Sequence, residues 1–202
     1  MWSSEAIGTA YERIRSEVGP AVTIVVATKY ASLEEMAVLA EAGIEVVGEN
    51  RAQDLEAKHA RYRGVFRWHF IGHLQSRKAP LVSSICELVH SLDSLSAARR
   101  LTVPALVQVN LAGEASKSGI PPAELPGFLA EARELGVDVR GLMTMPPLSD
   151  DPERSRPYFR ELARLAGEHG LRELSIGTTQ DYRVAVEEGA TLVRVGSGLF
   201  GG

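Results

Sequence analysis

Lys29 stands two residues beyond an apolar, β-branched run that ends at Ala27, and by type and place it could do covalent chemistry. Alone, a lysine after a strand is a solvated surface residue. An amine held neutral by desolvation or nearby cations, however, attacks an aldehyde and holds it as a Schiff base. Arg194, in the run Leu192 to Val195, is a second cation that would face the same ligand if both runs end on one side of the molecule. The alternative for Arg194 is an ion pair across that mouth, with Glu49 as partner. Directly after this run comes Gly196-Ser197-Gly198-Leu199-Phe200-Gly201, a literal match to the dinucleotide pattern G-x-G-x-x-G. That fingerprint also needs a crossover helix, a further strand and an acidic residue about 20 positions on. None is expected here, where the sequence runs only to Gly202. Two readings survive: a glycine-rich turn whose N–H groups form a phosphate nest, or a tight turn that closes the fold. Gly177-Thr178-Thr179 is a second group of this kind, with Thr179 expected as N-cap of the following helix, leaving backbone donors free for a phosphate.

Other reactive types lack the company they need. His69 and His73 are four apart and would share a face of a strand, but no cysteine or carboxylate cluster completes a site, so no metal is expected. Ser116-Lys117-Ser118-Gly119 has neither a partner histidine nor a nucleophile elbow and reads as a loop. The single cysteine, Cys86, excludes an intramolecular disulfide and reads as buried filler in a strand interior. With 22 basic and 26 acidic residues the net charge is -4, and the densest basic stretch, Arg61, Arg63 and Arg67, is interrupted by aromatics and a glycine. It reads as a solvated helix end, and no nucleic-acid partner is expected. No apolar run approaches the roughly 20 residues that cross a bilayer, and the N-terminus lacks the zones of a signal peptide. The expected setting is the cytoplasm, with no membrane partner.

These residues must be positioned by the elements between them. Short β-branched runs alternate with amphipathic stretches, the pattern of βαβ units and a parallel sheet. Eight strands are expected: Val22 to Ala27, Glu45 to Val47, Trp68 to Ile71, Glu87 to Ser91, Ala105 to Val109, Val139 to Met143, Glu173 to Ile176 and Leu192 to Val195. An opening helix places Ile7, Ala10, Tyr11, Ile14 and Val18 on one stripe and stops at Gly19-Pro20. A second runs from Leu33 to Ala42, with Ser32 and Glu35 as a capping box and Gly43 at its end. Others bury Leu125, Phe128, Leu129 and Ala132, and Phe159, Leu162, Leu165 and Ala166. No linker or low-complexity segment interrupts the alternation. The class is therefore α/β, a single (β/α)8 TIM-type barrel over residues 1–202 with an extra N-terminal helix, at the short end of the barrel range.

In such a barrel, chemistry sits at the C-terminal ends of the strands. In strand order the residues there are Lys29, Asn50, His73, Asp93, Asn110, Thr144, Thr179 and Arg194. The usual phosphate site, between the loops after strands seven and eight, receives Thr179 and Gly196-Ser197.

The segments Ala27-Thr28-Lys29, Gly48-Glu49-Asn50-Arg51, Trp68 through Gln75, Ser116 through Gly119, Gly141 through Met145 and Val193 through Gly201 together resemble the pyridoxal phosphate homeostasis protein family, related to the N-terminal barrel of alanine racemases. The resemblance implies pyridoxal 5′-phosphate as cofactor, held as a Schiff base on Lys29. It further implies Arg194 on the pyridine nitrogen, Thr179, Gly196 and Ser197 on the phosphate, and Asn50 near the ring. One departure stands out: where the family carries Ser-Met-Gly-Met-Ser-x-Asp, this sequence has Ser175-Ile176-Gly177-Thr178-Thr179-Gln180-Asp181. Thr179 keeps the hydroxyl and adds a methyl. The function implied is a non-catalytic carrier in intracellular cofactor homeostasis, with PLP-dependent apoenzymes as recipients and a monomer preferred. The alternative is an amino-acid racemase, which needs proton exchange on both faces of its substrate. Alanine racemases take the second group from an additional β-domain, and no such domain is expected here.

Overall fold

The computed structural model describes residues 3–113 and 118–200. Helix α1 (Ser4–Val18) forms as its spacing dictates, with Ile7, Tyr11, Ile14 and Val18 buried on one stripe, Ser3 capping its start and Gly19 at φ 80° ending it. All eight expected strands follow: β1 (Thr23–Ala27), β2 (Val46–Glu49), β3 (Arg67–Phe70), β4 (Leu88–Leu92), β5 (Ala105–Gln108), β6 (Val139–Met143), β7 (Glu173–Thr178) and β8 (Leu192–Val195). Each pairs in parallel with the next, and β1 pairs with β8, closing an eight-stranded barrel. Around it run α2 (Leu33–Glu41), α3 (Ala52–Arg61), α4 (Ala79–Ser83), α5 (Leu95–Ala98), α6 (Leu125–Glu134), α7 (Arg156–Glu168) and α8 (Tyr182–Glu187), with the short α9 (Ser197–Phe200) after the last strand. The capping box on α2 is present in both directions, Glu35 N–H to Ser32 Oγ and Ser32 N–H to Glu35 Oε2. No helix among the described residues is long and apolar enough to cross a membrane.

Two faces of the strands do different work. Outward residues such as Ile24, Val26, Val47, Phe70, Ile176 and Val193 join the large core shared with the helices. Inward residues form a smaller apolar cluster of Val25, Val46, Leu88, Leu106, Met143 and Leu192. Gly48 leaves room for it, since a Cβ there would lie 2.9 Å from Val25 Cγ1. On the same inward parity lie His69, His90, Ser175 and Arg194, all buried, so a polar column runs through an otherwise apolar interior.

Some local expectations change. β2 runs on to Glu49, which is fully buried. Cys86 precedes β4 instead of lying within it; it is buried, and burial pushes its thiol far up, so it is filler as expected. Arg61 ends α3, whereas Arg67 opens β3 and pairs with Glu87 at 2.9 Å, so the basic stretch is not one helix end. Ser116 and Lys117 lie outside the described residues.

Candidate functional site

At the C-terminal ends of the strands a cavity of about 560 Å³ brings together all six expected residues: Lys29, Asn50, Thr179, Arg194, Gly196 and Ser197. Tyr30, Ile71, Met145, Leu148 and Phe200 add an apolar wall. The size suits a cofactor-sized ligand, and mostly apolar walls with a few aimed polar groups are what such sites need.

Lys29 leaves the barrel on a clamped peptide. Thr28 is fully buried. Its N–H donates to Gly48 O at 3.0 Å, its hydroxyl donates to Glu49 Oε1 at 2.6 Å, and its carbonyl accepts from Lys58 Nζ at 2.7 Å. Lys58 also pairs with Glu49 Oε1 at 2.6 Å, both side chains being buried. Lys29 itself is exposed, with Nζ 4.8 Å from the centre of the Tyr30 ring. The expected desolvation of its amine is therefore not supplied by the polypeptide alone.

Arg194 enters from the neighbouring strand β8, where it pairs in register with Val25 of β1. Its Nη1 donates to Ser175 O at 3.1 Å and Ser175 Oγ at 2.8 Å, and its Nη2 to Thr144 O at 3.1 Å and Met145 Sδ at 3.0 Å. The ion pair with Glu49 considered from sequence does not form, because Glu49 is taken by Lys58 and Thr28. A guanidinium carries five N–H donors. Four are used in these bonds, which leaves Nε–H. Burial lowers the Arg194 pKa to about 10, so the group is cationic and donor-only at neutral pH.

Thr179 does not cap α8. Asp181 occupies that position and takes the Thr178 N–H at 2.7 Å and its hydroxyl at 3.0 Å. Thr179 Oγ1 accepts instead from the N–H of Gly196 at 3.1 Å and of Gly198 at 3.3 Å, tying the two loops together. An oxygen that accepts twice still has a proton to donate. The Ser197 N–H, between those two donors, has no partner among the described residues. Gly177 makes the bend before Thr179 at φ 87°, and a Cβ there would lie 2.6 Å from Ala185 Cβ.

Asn50 contributes the most direct sign of a missing partner: its Oδ1 is buried and without a hydrogen bond. Its backbone is fixed by Gly72, where a Cβ would come within 2.0 Å of the Asn50 carbonyl oxygen. The remaining strand-end residues are used elsewhere. His73 lies outside this cavity, 3.5 Å from Asp93, whose carboxyl is raised by burial against the opposing pull of His73. Thr144 supplies its carbonyl to Arg194.

Two clusters escaped the sequence reading. Lys58 sits on the buried stripe of α3 with Ala52 and Leu55, a spacing that could have flagged an inward cation. His69, His90 and Ser175 form a chain, His69 Nδ1 to His90 Nε2 at 2.9 Å and His90 Nδ1 to Ser175 Oγ at 2.7 Å. Polar residues flanked by apolar ones inside the strands were the available signal.

Comparison with known proteins agrees with this geometry. The family model for the N-terminal domain of alanine racemase matches residues 3–202. A pyridoxal phosphate homeostasis protein of Deinococcus radiodurans is 42% identical over 189 residues, 89% of this chain and 88% of its own. Another from Aquifex aeolicus is 40% identical over 176 residues, 79% of this chain and 77% of its own. The structure of PipY from Synechococcus elongatus PCC7942 with PLP bound is 32% identical and superposes with a TM-score of 0.87, covering 96% of this chain and 100% of that one. With its matching barrel and this likeness over most of its length, the chain belongs to the pyridoxal phosphate homeostasis protein family, within the alanine racemase N-terminal domain family.

Proposed function

We propose that this protein binds pyridoxal 5′-phosphate in the 560 Å³ cavity and serves as a non-catalytic carrier in PLP homeostasis. When bound, the cofactor supplies an aldehyde carbon that a lysine amine can join reversibly, and a charged phosphate at the other end. The observation that carries the reading is the convergence on one cavity of an amine, Lys29, a donor-only cation, Arg194, and the Thr179 hydroxyl and Ser197 N–H, held together by the Gly196 and Gly198 N–H groups that donate to Thr179 Oγ1. Each group suits one part of the cofactor. Lys29 is the covalent anchor, and Arg194 Nε–H is the donor for the ring nitrogen. The Thr179 hydroxyl and Ser197 N–H are donors for the phosphate, and Asn50 Oδ1 is an acceptor beside the ring. Because an arginine can only donate, a ring nitrogen bonded to it stays unprotonated, a poor electron sink. That suits a carrier or a one-proton racemase and argues against transamination. Among the described residues lining the cavity, Lys29 and Tyr30 are the groups suited to proton exchange, and they are neighbours in sequence instead of facing groups. The relatives' name points the same way. The reading extends to a cytoplasmic monomer that delivers the cofactor to apoenzymes.

The test is borohydride reduction of the loaded protein followed by peptide mass mapping. A phosphopyridoxyl group on Lys29 is expected; labelling of Lys78 or Lys117 with Lys29 free would overturn the anchor. Pyridoxal without phosphate should bind far more weakly, and equal affinity would restore the simple barrel-closing turn. Incubation with single enantiomers of amino acids and chiral analysis separates the carrier from a racemase.

A further inference from the structure

The column of His69, His90 and Ser175 has no part in the cavity lining, yet it ends on Arg194. Its direction follows from chemistry. Arg194 Nη1 can only donate, so Ser175 Oγ accepts at 2.8 Å. Ser175 is fully buried and its Oγ has one further partner, His90 Nδ1 at 2.7 Å, so its hydroxyl proton is satisfied by donating there. His90 Nδ1 is then the bare nitrogen and Nε2 carries the proton, which is donated to His69 Nδ1 at 2.9 Å. His69 in turn carries its proton on Nε2. This ring lines a separate cavity of about 220 Å³ at the opposite, N-terminal mouth of the barrel, among Arg67, Glu87, Arg140 and Glu173. Both rings are neutral at pH 7: burial and its neighbour Arg67 pull His69 down to about 4, and burial above all, with the nearness of His69 and Arg194 opposing a second positive charge, holds His90 well below its ordinary value.

We propose that Ser175, His90 and His69 are positioning residues for the cofactor, a one-directional hydrogen-bond chain along the barrel axis that fixes the Arg194 guanidinium and thereby its remaining donor toward the ring nitrogen. This rests on the assignment of Arg194 to that nitrogen. The chain fixes orientation because each member has one tautomer or rotor that satisfies its neighbours, and reversing any one leaves a buried polar proton without an acceptor. Its far end, His69, borders the opposite mouth of the barrel. A change at His69 reaches Arg194 through two side chains without touching the ligand.

The first test needs no substitution. Nitrogen-15 spectra of the loaded wild-type protein, labelled at histidine, should show His69 and His90 as neutral rings protonated on Nε2 at pH 7. A His90 protonated on Nδ1 overturns the proposal. The second is a spectroscopic titration with pyridoxal 5′-phosphate of wild type, R194A, S175A, H90L and H90N, with thermal unfolding of each unloaded protein as a folding control. Ser175→Ala and His90→Leu should weaken binding about five- to tenfold and shift the absorption band of the bound cofactor. His90→Asn, whose Oδ1 can still accept from Ser175, should restore most of both. If R194A binds weakly while S175A keeps wild-type affinity and band, Arg194 needs no chain behind it and the proposal fails alone. If R194A is unchanged as well, the ring-nitrogen assignment fails and takes the proposal with it.

Discussion

The two mouths of the barrel are built from similar residue types used in opposite ways. At the N-terminal mouth, charges neutralise one another: Arg67 pairs with Glu87 and Arg140 with Asp138, each at 2.9 Å and each largely exposed. At the C-terminal mouth, polar groups are aimed and left incomplete. Among the described residues, Asn50 Oδ1 lacks a donor, Arg194 keeps one donor in reserve, and the exposed Lys29 lies over the Tyr30 ring. The buried ion pair Glu49–Lys58 is sunk beneath the cavity and spent on holding the Thr28 peptide. Charges that close a structure are paired in solvent, where they are cheap and weak. Charges that serve a site are buried with a second task, or left unpaired for a ligand.

The largest effect that would sharpen this contrast is at Lys58. Lys58→Met leaves the Glu49 carboxylate buried and unpaired and the Thr28 carbonyl without its donor. Urea unfolding at pH 7 should show a loss of about 3–5 kcal/mol. The double variant Lys58→Met, Glu49→Gln removes the stranded charge and should regain much of that loss. A single variant as stable as wild type would mean that the pair is not buried as described.

The polar column predicts the next largest effect, on acid stability. His69 stays neutral in the folded chain down to about 4, whereas its ordinary value is 6.5. Between these values the unfolded chain binds more protons, so the contribution is fully present above pH 6.5 and is lost as pH falls toward 4. The slope approaches about 1.4 kcal/mol per pH unit, roughly 3 kcal/mol over the window. His90, also held neutral by burial, adds loss in the same direction. Unfolding free energies measured from pH 7 to pH 4 should therefore fall more steeply for wild type than for His69→Gln. Parallel curves would show that His69 is not kept neutral by the fold.

Much of the architecture was legible because β-branched runs and helical stripes differ in period, and because barrel strands end where polar residues begin. The gathering of Lys29, Asn50, Thr179, Arg194, Gly196 and Ser197 followed from that logic, since residues at one end of closed parallel strands meet. Pairings across the barrel were not legible. Thr179 reads locally as a cap, yet Asp181 outcompetes it two residues on, and the hydroxyl turns to another strand's loop. His69, His90 and Ser175 lie on three strands, and the register that aligns them is irregular, with shifts in the β4–β5 and β7–β8 pairings. No spacing within one segment reports such alignments. Glu49 was read as a mouth residue because strand β2 was expected to end at Val47, two positions before its actual end.

The smallest effect belongs to the N-terminal mouth. The Arg67 and Glu87 side chains are 57% and 49% exposed, so their pair is solvated and screened. Arg67→Ala should cost no more than about 1 kcal/mol at low salt, and less at high salt. Its distinctive signature is elsewhere. Arg67 is one of the two influences that hold the His69 pKa down, after burial. Removing that cation lets the folded ring accept a proton at a higher pH, which narrows the window between folded and unfolded values. The stability of Arg67→Ala should therefore fall less between pH 6.5 and 4 than that of wild type, even though it starts slightly lower. Cofactor titration at pH 7 should give the same affinity for both, since Arg67 lies at the mouth opposite the cavity and the ring beside it is neutral either way. Weakened binding in Arg67→Ala at pH 7 would break the division between a closing mouth and a working one.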